Sequence, residues 1–338
     1  MTRILITGQY RTGSTYLSRL VSAHSCIYGT YDSLNYLRAI VKLNRSPKDF
    51  QSIVNDCSIR LYERYGITIN QKNVIHCLSK HQTLTHASIY DQLIRDMLGI
   101  NNDQSWCDKT LLEWTNIPYF LSLFDDSKVL HILRDPRSIL ASFREMTFHP
   151  GKLYLDSVHC SLSSMFHAFK YRSILDSKRY MIVKYEDLIN NPTSYASLLC
   201  DFLDMPFDAK MLDSDNHLDH SGQKLTIRTH SSFPELSEPN KDWSKLCNDF
   251  ELGYINYYLR DYMEIFGYHC SDNTLTSEEI LNHLSSTPLL LNKHTLFEIK
   301  PEGTESYPSD PNNPSNWGIS MNEQAYGAGA KEAYRQKR

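Results

Sequence analysis

The stretch Gly8-Gln9-Tyr10-Arg11-Thr12-Gly13-Ser14-Thr15-Tyr16-Leu17 decides how the chain is read. It follows the apolar run Ile4-Leu5-Ile6, and its two glycines stand at the spacing of the phosphate-binding loop G-x-x-x-x-G-K-[ST]. A buried strand over 3–7, a glycine turn and a helix over 14–23 are the expected local structure. In such a turn the backbone N–H groups at the helix N-terminus face an anion. The lysine that reaches the β- and γ-phosphates of a triphosphate is missing, and Ser14 stands in its place. No strand is seen to end in an aspartate suited to hold Mg²⁺. The loop therefore reads as a cradle for a single phosphate at that point, with Arg11 supplying positive charge from the other side of the turn. A strand-to-helix turn with no ligand is the plainer alternative.

A second signal lies at Val129-Leu130-His131-Ile132-Leu133, a clear strand, followed by Arg134-Asp135-Pro136-Arg137-Ser138 and, on the helix expected over 137–146, Ser142. Arg134 emerges at the carboxyl end of the strand, where open α/β sheets bind ligands. A strand-end arginine and a helix hydroxyl can converge on a further phosphate, and the guanidinium fork suits its oxygens. A surface ion pair of Arg134 with Asp135 is the plainer reading. Tyr180-Met181-Ile182-Val183 is a third strand, and 72–78 a weaker one. Helices are expected over 33–43, 47–64, 86–98, 113–124, 157–176, 193–203 and 249–266. Strands alternating with helices imply a parallel sheet covered on both faces.

The chain has 338 residues, room for one large α/β domain. Its formal net charge of −4 argues against a general nucleic-acid binder but permits a local basic pocket. No segment approaches a membrane span or a signal-peptide core, so a cytoplasmic protein is expected. The eight cysteines form no C-x-x-C pair and read as reduced, mostly buried thiols. Composition shifts after about residue 270, and Pro, Ser, Asn and Gly crowd 301–330. Two parts are expected: a domain over 1–270 and a C-terminal extension over 271–338, at least partly disordered.

Together the two phosphate segments resemble those of the sulfotransferase superfamily, which uses 3′-phosphoadenosine 5′-phosphosulfate (PAPS). Tyr185-Glu186-Asp187-Leu188, after the strand at 180–183, is similar to another recurring segment of that family. The resemblance extends over about residues 1–268. It implies an α/β fold with a P-loop-like parallel sheet flanked by helices, the sulfotransferase fold. It also implies a PAPS co-substrate without a metal, which accounts for the missing lysine. By this resemblance Arg11, Thr12, Gly13, Ser14, Thr15 and Tyr16 bind the 5′-phosphosulfate, while Arg134 and Ser142 bind the 3′-phosphate. A basic loop returning to the 3′-phosphate would fall at 221–228, where the local match is poor.

Sulfuryl transfer needs a nucleophile, a base for its proton and positive charge near the departing phosphate oxygen. Arg11 and Lys109 are the candidates for that charge. Lys109 lies in Cys107-Asp108-Lys109-Thr110, which resembles a segment of carbohydrate and tyrosine-protein sulfotransferases, although a solvated loop lysine is the plainer reading. The stretch His24 to Asn35 resembles bacterial carbohydrate sulfotransferases of the nodulation-factor and trehalose type, which place a glutamate where Asp32 stands. Asp32 is thus the candidate base, and an N-cap for the helix beginning near Ser33 is its other reading. The histidines His76, His81 and His86 are the rival base, their spacing unsuited to zinc. The expected acceptor is a hydroxyl of a sugar or glycoconjugate, with a small natural product as the alternative. A P-loop kinase and a non-catalytic nucleotide-binding protein stand as further alternatives. No nucleic acid or membrane span is expected as a partner, and the sequence carries no signal of oligomeric state.

Overall fold

Ile4, Leu5 and Ile6 are fully buried at the centre of a five-stranded sheet. The structure is a computed structural model and describes residues 1–31, 34–146, 152–213, 216 and 243–297. The strands are β1 (Arg3–Gly8), β2 (Ile27–Tyr31), β3 (Ser105–Lys109), β4 (Ser127–Leu133) and β5 (Tyr180–Lys184). Every pairing is parallel and the order is β2-β3-β1-β4-β5. The chain builds β2 and β3 on one side of β1, then crosses to build β4 and β5 on the other. The carboxyl ends of β1 and β4 therefore flank a switch in strand order, the place where such sheets bind ligands.

The helices are α1 (Ser14–Ser22), α2 (Phe50–Tyr65), α3 (Gln71–Ser79), α4 (His86–Leu98), α5 (Ile117–Leu123), α6 (Pro136–Met146), α7 (Asp156–Ile174), α8 (Tyr185–Asn190), α9 (Pro192–Phe202), α10 (Trp243–Leu246), α11 (Asp249–Ile265), α12 (Ser277–Leu284) and α13 (Pro288–Phe297). Alternation along β1 sends Leu5 to one face and Ile4 and Ile6 to the other. On the first face Leu5 joins Trp106, Val129 and the aromatic group of Tyr36, Tyr90 and Phe120, closed by α2 to α5. On the second, Leu17, Leu20 and Val21 of α1 and Leu199 of α9 cover Ile4, Ile6 and Ile132. A third cluster joins α6, α7 and α11, and α12 and α13 complete it with Ile280, Leu284 and Leu290. The extension read from 271 thus begins with two packed helices. The crowded stretch 301–330 lies outside the described residues.

The expected parallel α/β sheet is what forms, but two local expectations are corrected. Residues 72–78 are helical, not a strand. Asn70 caps α3 by accepting the Asn73 N–H at 3.1 Å, and Val74 and Leu78 bury one helical stripe. The helix expected over 33–43 is only a turn of π-helix, Leu37–Val41, because Asn35 adopts φ 47° and interrupts it. All eight cysteines are free, five of them buried. No helix among the described residues is long and apolar enough to cross a membrane.

Candidate functional site

β1 ends at Gly8, and the chain turns through residues 9–13 before α1 begins. Two residues of the turn lie in the left-handed region, Arg11 at φ 71° and Gly13 at φ 88°. Gly13 is required twice: by that conformation, and because a Cβ there would stand 2.2 Å from Tyr185 Cδ2. Gln9 locks the turn. Its carbonyl accepts from Thr12 Oγ1 at 2.7 Å. Its buried side chain donates from Nε2 to the Ser157 carbonyl at 2.7 Å and accepts from Ser161 Oγ at 2.6 Å. The turn is thereby fixed to α7 as well as to the sheet. No acidic residue occupies the first turn of α1, so no carboxylate there offsets the positive end of that helix. Of the hydroxyls expected here, that of Thr12 is bound to Gln9, Ser14 is buried, and Thr15 is exposed. Tyr16 packs into the core, where burial pushes its hydroxyl up to about 12.

Gly8 pairs with Ile132, so Arg134 stands level with the start of the turn. Arg134 Nη1 donates to the Arg11 carbonyl at 3.0 Å, and its guanidinium lies 4.4 Å from the centre of the Tyr185 ring. Burial raises the Tyr185 hydroxyl above its usual range, and the Arg134 charge opposes that shift. Asp135 pairs with Arg137 rather than Arg134, taking Nε at 2.9 Å and Nη2 at 2.7 Å. Arg137 in turn donates to the His269 carbonyl at 2.7 Å and lies over Trp243. Glu186 secures the same segment from α8. It accepts the Asp135 N–H at 2.9 Å and the Tyr268 hydroxyl at 2.9 Å. On α6, Ser142 Oγ accepts from Arg11 Nε at 2.8 Å. Among the described residues, Arg134 Nε and Ser138 Oγ are two of the buried polar atoms with no hydrogen-bond partner.

A model of the sulfotransferase family matches residues 3–209, more than half the chain and all of this site except Tyr268, His269 and Trp243. The chain belongs to the sulfotransferase family. Two solved structures share its fold. The sulfotransferase domain from the curacin biosynthetic pathway is 18% identical, covers 79% of this chain and 98% of its own, and has a TM-score of 0.53. The sulfotransferase domain from the Synechococcus PCC 7002 olefin synthase is 19% identical, covers 80% and 96%, and has a TM-score of 0.53. No curated protein matches the chain.

In this sulfotransferase Lys109 ends β3, the strand beside β1, and is only 4% exposed, so it is a buried strand residue and not a solvated loop lysine. Its neighbour Asp108 is held within the core, accepting from Thr30 Oγ1 and Tyr90 Oη, both at 2.5 Å. After Lys109 the chain is tied along the end of β1. Thr110 and Leu112 donate N–H groups to the carbonyls of Ile6 and Gly8, at 2.9 and 3.1 Å, and Glu113 N–H donates to Thr7 Oγ1 at 3.0 Å. The buried Glu113 carboxylate accepts from Asn116 Nδ2 at 2.5 Å and lies 3.8 Å from Arg38 Nε. Arg11, expected with Lys109 at the departing oxygen, donates from Nε to Ser142 Oγ at 2.8 Å. Asp32 and the basic loop at 221–228 lie outside the described residues. His76 and His81 are exposed, while His86 Nδ1 is 3.0 Å from Tyr36 Oη, and burial lowers its pKa. Gln9, Glu186 and the Arg38–Glu113 pair were given no role on sequence grounds, since each acts through a partner distant along the chain.

Proposed function

We propose that the protein moves a sulfuryl group from PAPS to a hydroxyl of a sugar or glycoconjugate. The observation that supports this is that the turn closing on α1 lies at the switch point with Arg134 and Ser142 beside it, both in contact with Arg11. The residues fit a nucleotide with phosphates at both ends. The unpartnered donors of Arg134 and Ser138 suit a charged oxygen. When bound, the donor supplies the sulfuryl group and a phosphate oxygen as leaving atom.

In this reading the amides at the start of α1, with Thr15, hold the 5′ end, and Arg134 and Ser142 hold the 3′-phosphate. Lys109, at the end of β3, meets negative charge on the departing oxygen without a metal. Asp32 takes the proton of the acceptor hydroxyl. The sugar class rests on the resemblance of 24–35 and 107–110 to carbohydrate sulfotransferases. The test is transfer of labelled sulfuryl groups from PAPS to sugars, phenols and amines. Labelled sugar is expected, with turnover falling roughly 10²–10⁴-fold in Asp32→Asn. Labelling of phenols alone would move the acceptor to small natural products. ATP turnover with no sulfuryl transfer would overturn the reading.

A further inference from the structure

The helices α12 and α13 dock on α7 and α11 through a buried polar layer. Lys293 of α13 pairs with Asp156 of α7. Its neighbour His294 stands between two hydroxyls, with Nδ1 2.5 Å from Tyr258 Oη of α11 and Nε2 2.8 Å from Ser277 Oγ of α12, and Tyr257 flanks its ring. One turn along α7 from Asp156, the buried His159 has Nε2 2.9 Å from Tyr254 Oη, and its ring centre lies 4.7 Å from that of Tyr258. Neighbouring ionisable groups are engaged with one another: Glu251 with Arg144 and Tyr154, and Glu279 with the Thr276 cap, while His283 stacks on Phe250.

Asp156 and His159 stand at i and i+3 on α7, a spacing at which helix side chains meet. With α13 docked, Lys293 takes the Asp156 carboxylate, and His159 is buried near the same cation. Burial lowers the His159 imidazole to about 3, Lys293 adds to that shift, and Asp156 opposes it. Undocking changes all three influences. Water reaches the layer, Lys293 leaves with α13, and Asp156 is free to meet a protonated His159. His294 differs, because it is carried on α13 beside Lys293 and release does not part the two.

We infer that α12 and α13 form an acid-released clasp on α7, in which Asp156 exchanges Lys293 for a protonated His159, and that release loosens the turn between β1 and α1. The connection to that turn is Ser157, next to Asp156, whose carbonyl accepts from Gln9 Nε2 at 2.7 Å. Below about pH 6.5 the released state binds a proton that the docked state refuses, so the released fraction rises about ten-fold per pH unit on acidification. No nucleotide is needed for this exchange of partners.

Amide hydrogen exchange on the full chain at pH 7.5 and 5.0, corrected for the intrinsic pH dependence of exchange, reads the released fraction. In wild type the α13 amides should exchange at least about ten-fold faster than those of β1 at both pH values, which marks a local opening. Acidification to pH 5.0 should speed them roughly 30-fold. The Thr12 amide, bonded to the Gln9 carbonyl, should accelerate with them. His159→Gln keeps a polar partner for Tyr254 but takes up no proton, and the acid response of α13 should fall below about three-fold. His294→Gln should keep most of the response. The wild-type exchange decides the matter whether or not the variants fold. Equal protection of α13 and β1, or no acceleration of α13 at pH 5.0, would overturn the clasp. A full response in His159→Gln would overturn the exchange at Asp156. A response in α13 with the Thr12 amide unmoved would overturn the connection to the turn.

Discussion

Gly13 and Gly66 share the left-handed backbone, at φ 88° and 70°, but not their surroundings. A Cβ on Gly66 would meet nothing within 4 Å, whereas one on Gly13 would enter the Tyr185 ring. Alanine at Gly66 should therefore cost only the conformational penalty, about 1 kcal/mol. Alanine at Gly13 adds overpacking against a ring held by Arg134 and should cost about 2–4 kcal/mol, with nucleotide binding lost as Tyr185 and the turn shift. Urea unfolding of the two variants gives the comparison, and equal costs would mean that Tyr185 does not pack on the turn. At this scale the sequence was informative where a residue's role is local. The glycine spacing of the turn and the exit of Arg134 from its strand are both short-range signals. That Arg134 escapes Asp135 is not, because the competitor, Arg137, owes its place to Trp243 and His269.

The element that binds the molecule together is α7, and two histidines dock it. His131 on β4 reaches Ser164 Oγ of α7 and Tyr180 Oη of β5, both at 2.9 Å, with the Trp114 ring stacked on it. His159 on α7 reaches Tyr254 Oη of α11 at 2.9 Å, facing Asp156, Lys293 and His294. Burial lowers both imidazoles to about 3, helped by His167 in the first case and by Lys293 in the second. Unfolded histidine titrates near 6.5, so below about that pH the unfolded chain binds protons the folded one refuses. Stability is full above about pH 6.5 and falls as pH drops toward 3, by about 1.4 kcal/mol per pH unit for each histidine. Between pH 7.5 and 5.0 the His159→Gln variant should lose about 2 kcal/mol less than wild type in denaturant unfolding. An identical loss would mean His159 is not held neutral. Legibility in the sequence followed periodicity in the same way. The strands β1 and β4, and the edge strand β5, are apolar runs that the sequence alone predicts. The strands β2 and β3 are not, because IYGTY and SWCDK carry polar residues whose partners are remote. Thr30 and Tyr90 satisfy Asp108, and the Thr2 N–H satisfies Ser105. The helix α3 buries only Val74 and Leu78, too few to fix a period, and was read as a strand.

Across the whole molecule, the described chain is tied end to end by α7. The first turn of α7 carries Asp156, which pairs with Lys293 of α13, and Ser157, whose carbonyl holds Gln9 of the turn between β1 and α1. The last described helix and the first loop thus meet on consecutive residues, although composition alone set a boundary at 270. The Asp156 side chain is 4% exposed and that of Lys293 10%, so this is a buried pair and not a surface one. Removing one member of such a pair strands a charge. Lys293→Met should cost about 3–5 kcal/mol, toward the lower end because the α7 N-terminus also favours a carboxylate. Adding Asp156→Asn removes the stranded charge and should recover most of that loss. Nucleotide affinity should follow the same order, falling in the single variant and returning in the double, because the residue beside Asp156 anchors Gln9. Denaturant unfolding and calorimetry on the same three proteins supply both readouts. A cost below about 1 kcal/mol for Lys293→Met would be that of an exposed pair and would detach α13 from the core. A stability loss with unchanged nucleotide affinity would keep the pair but sever its connection to the turn.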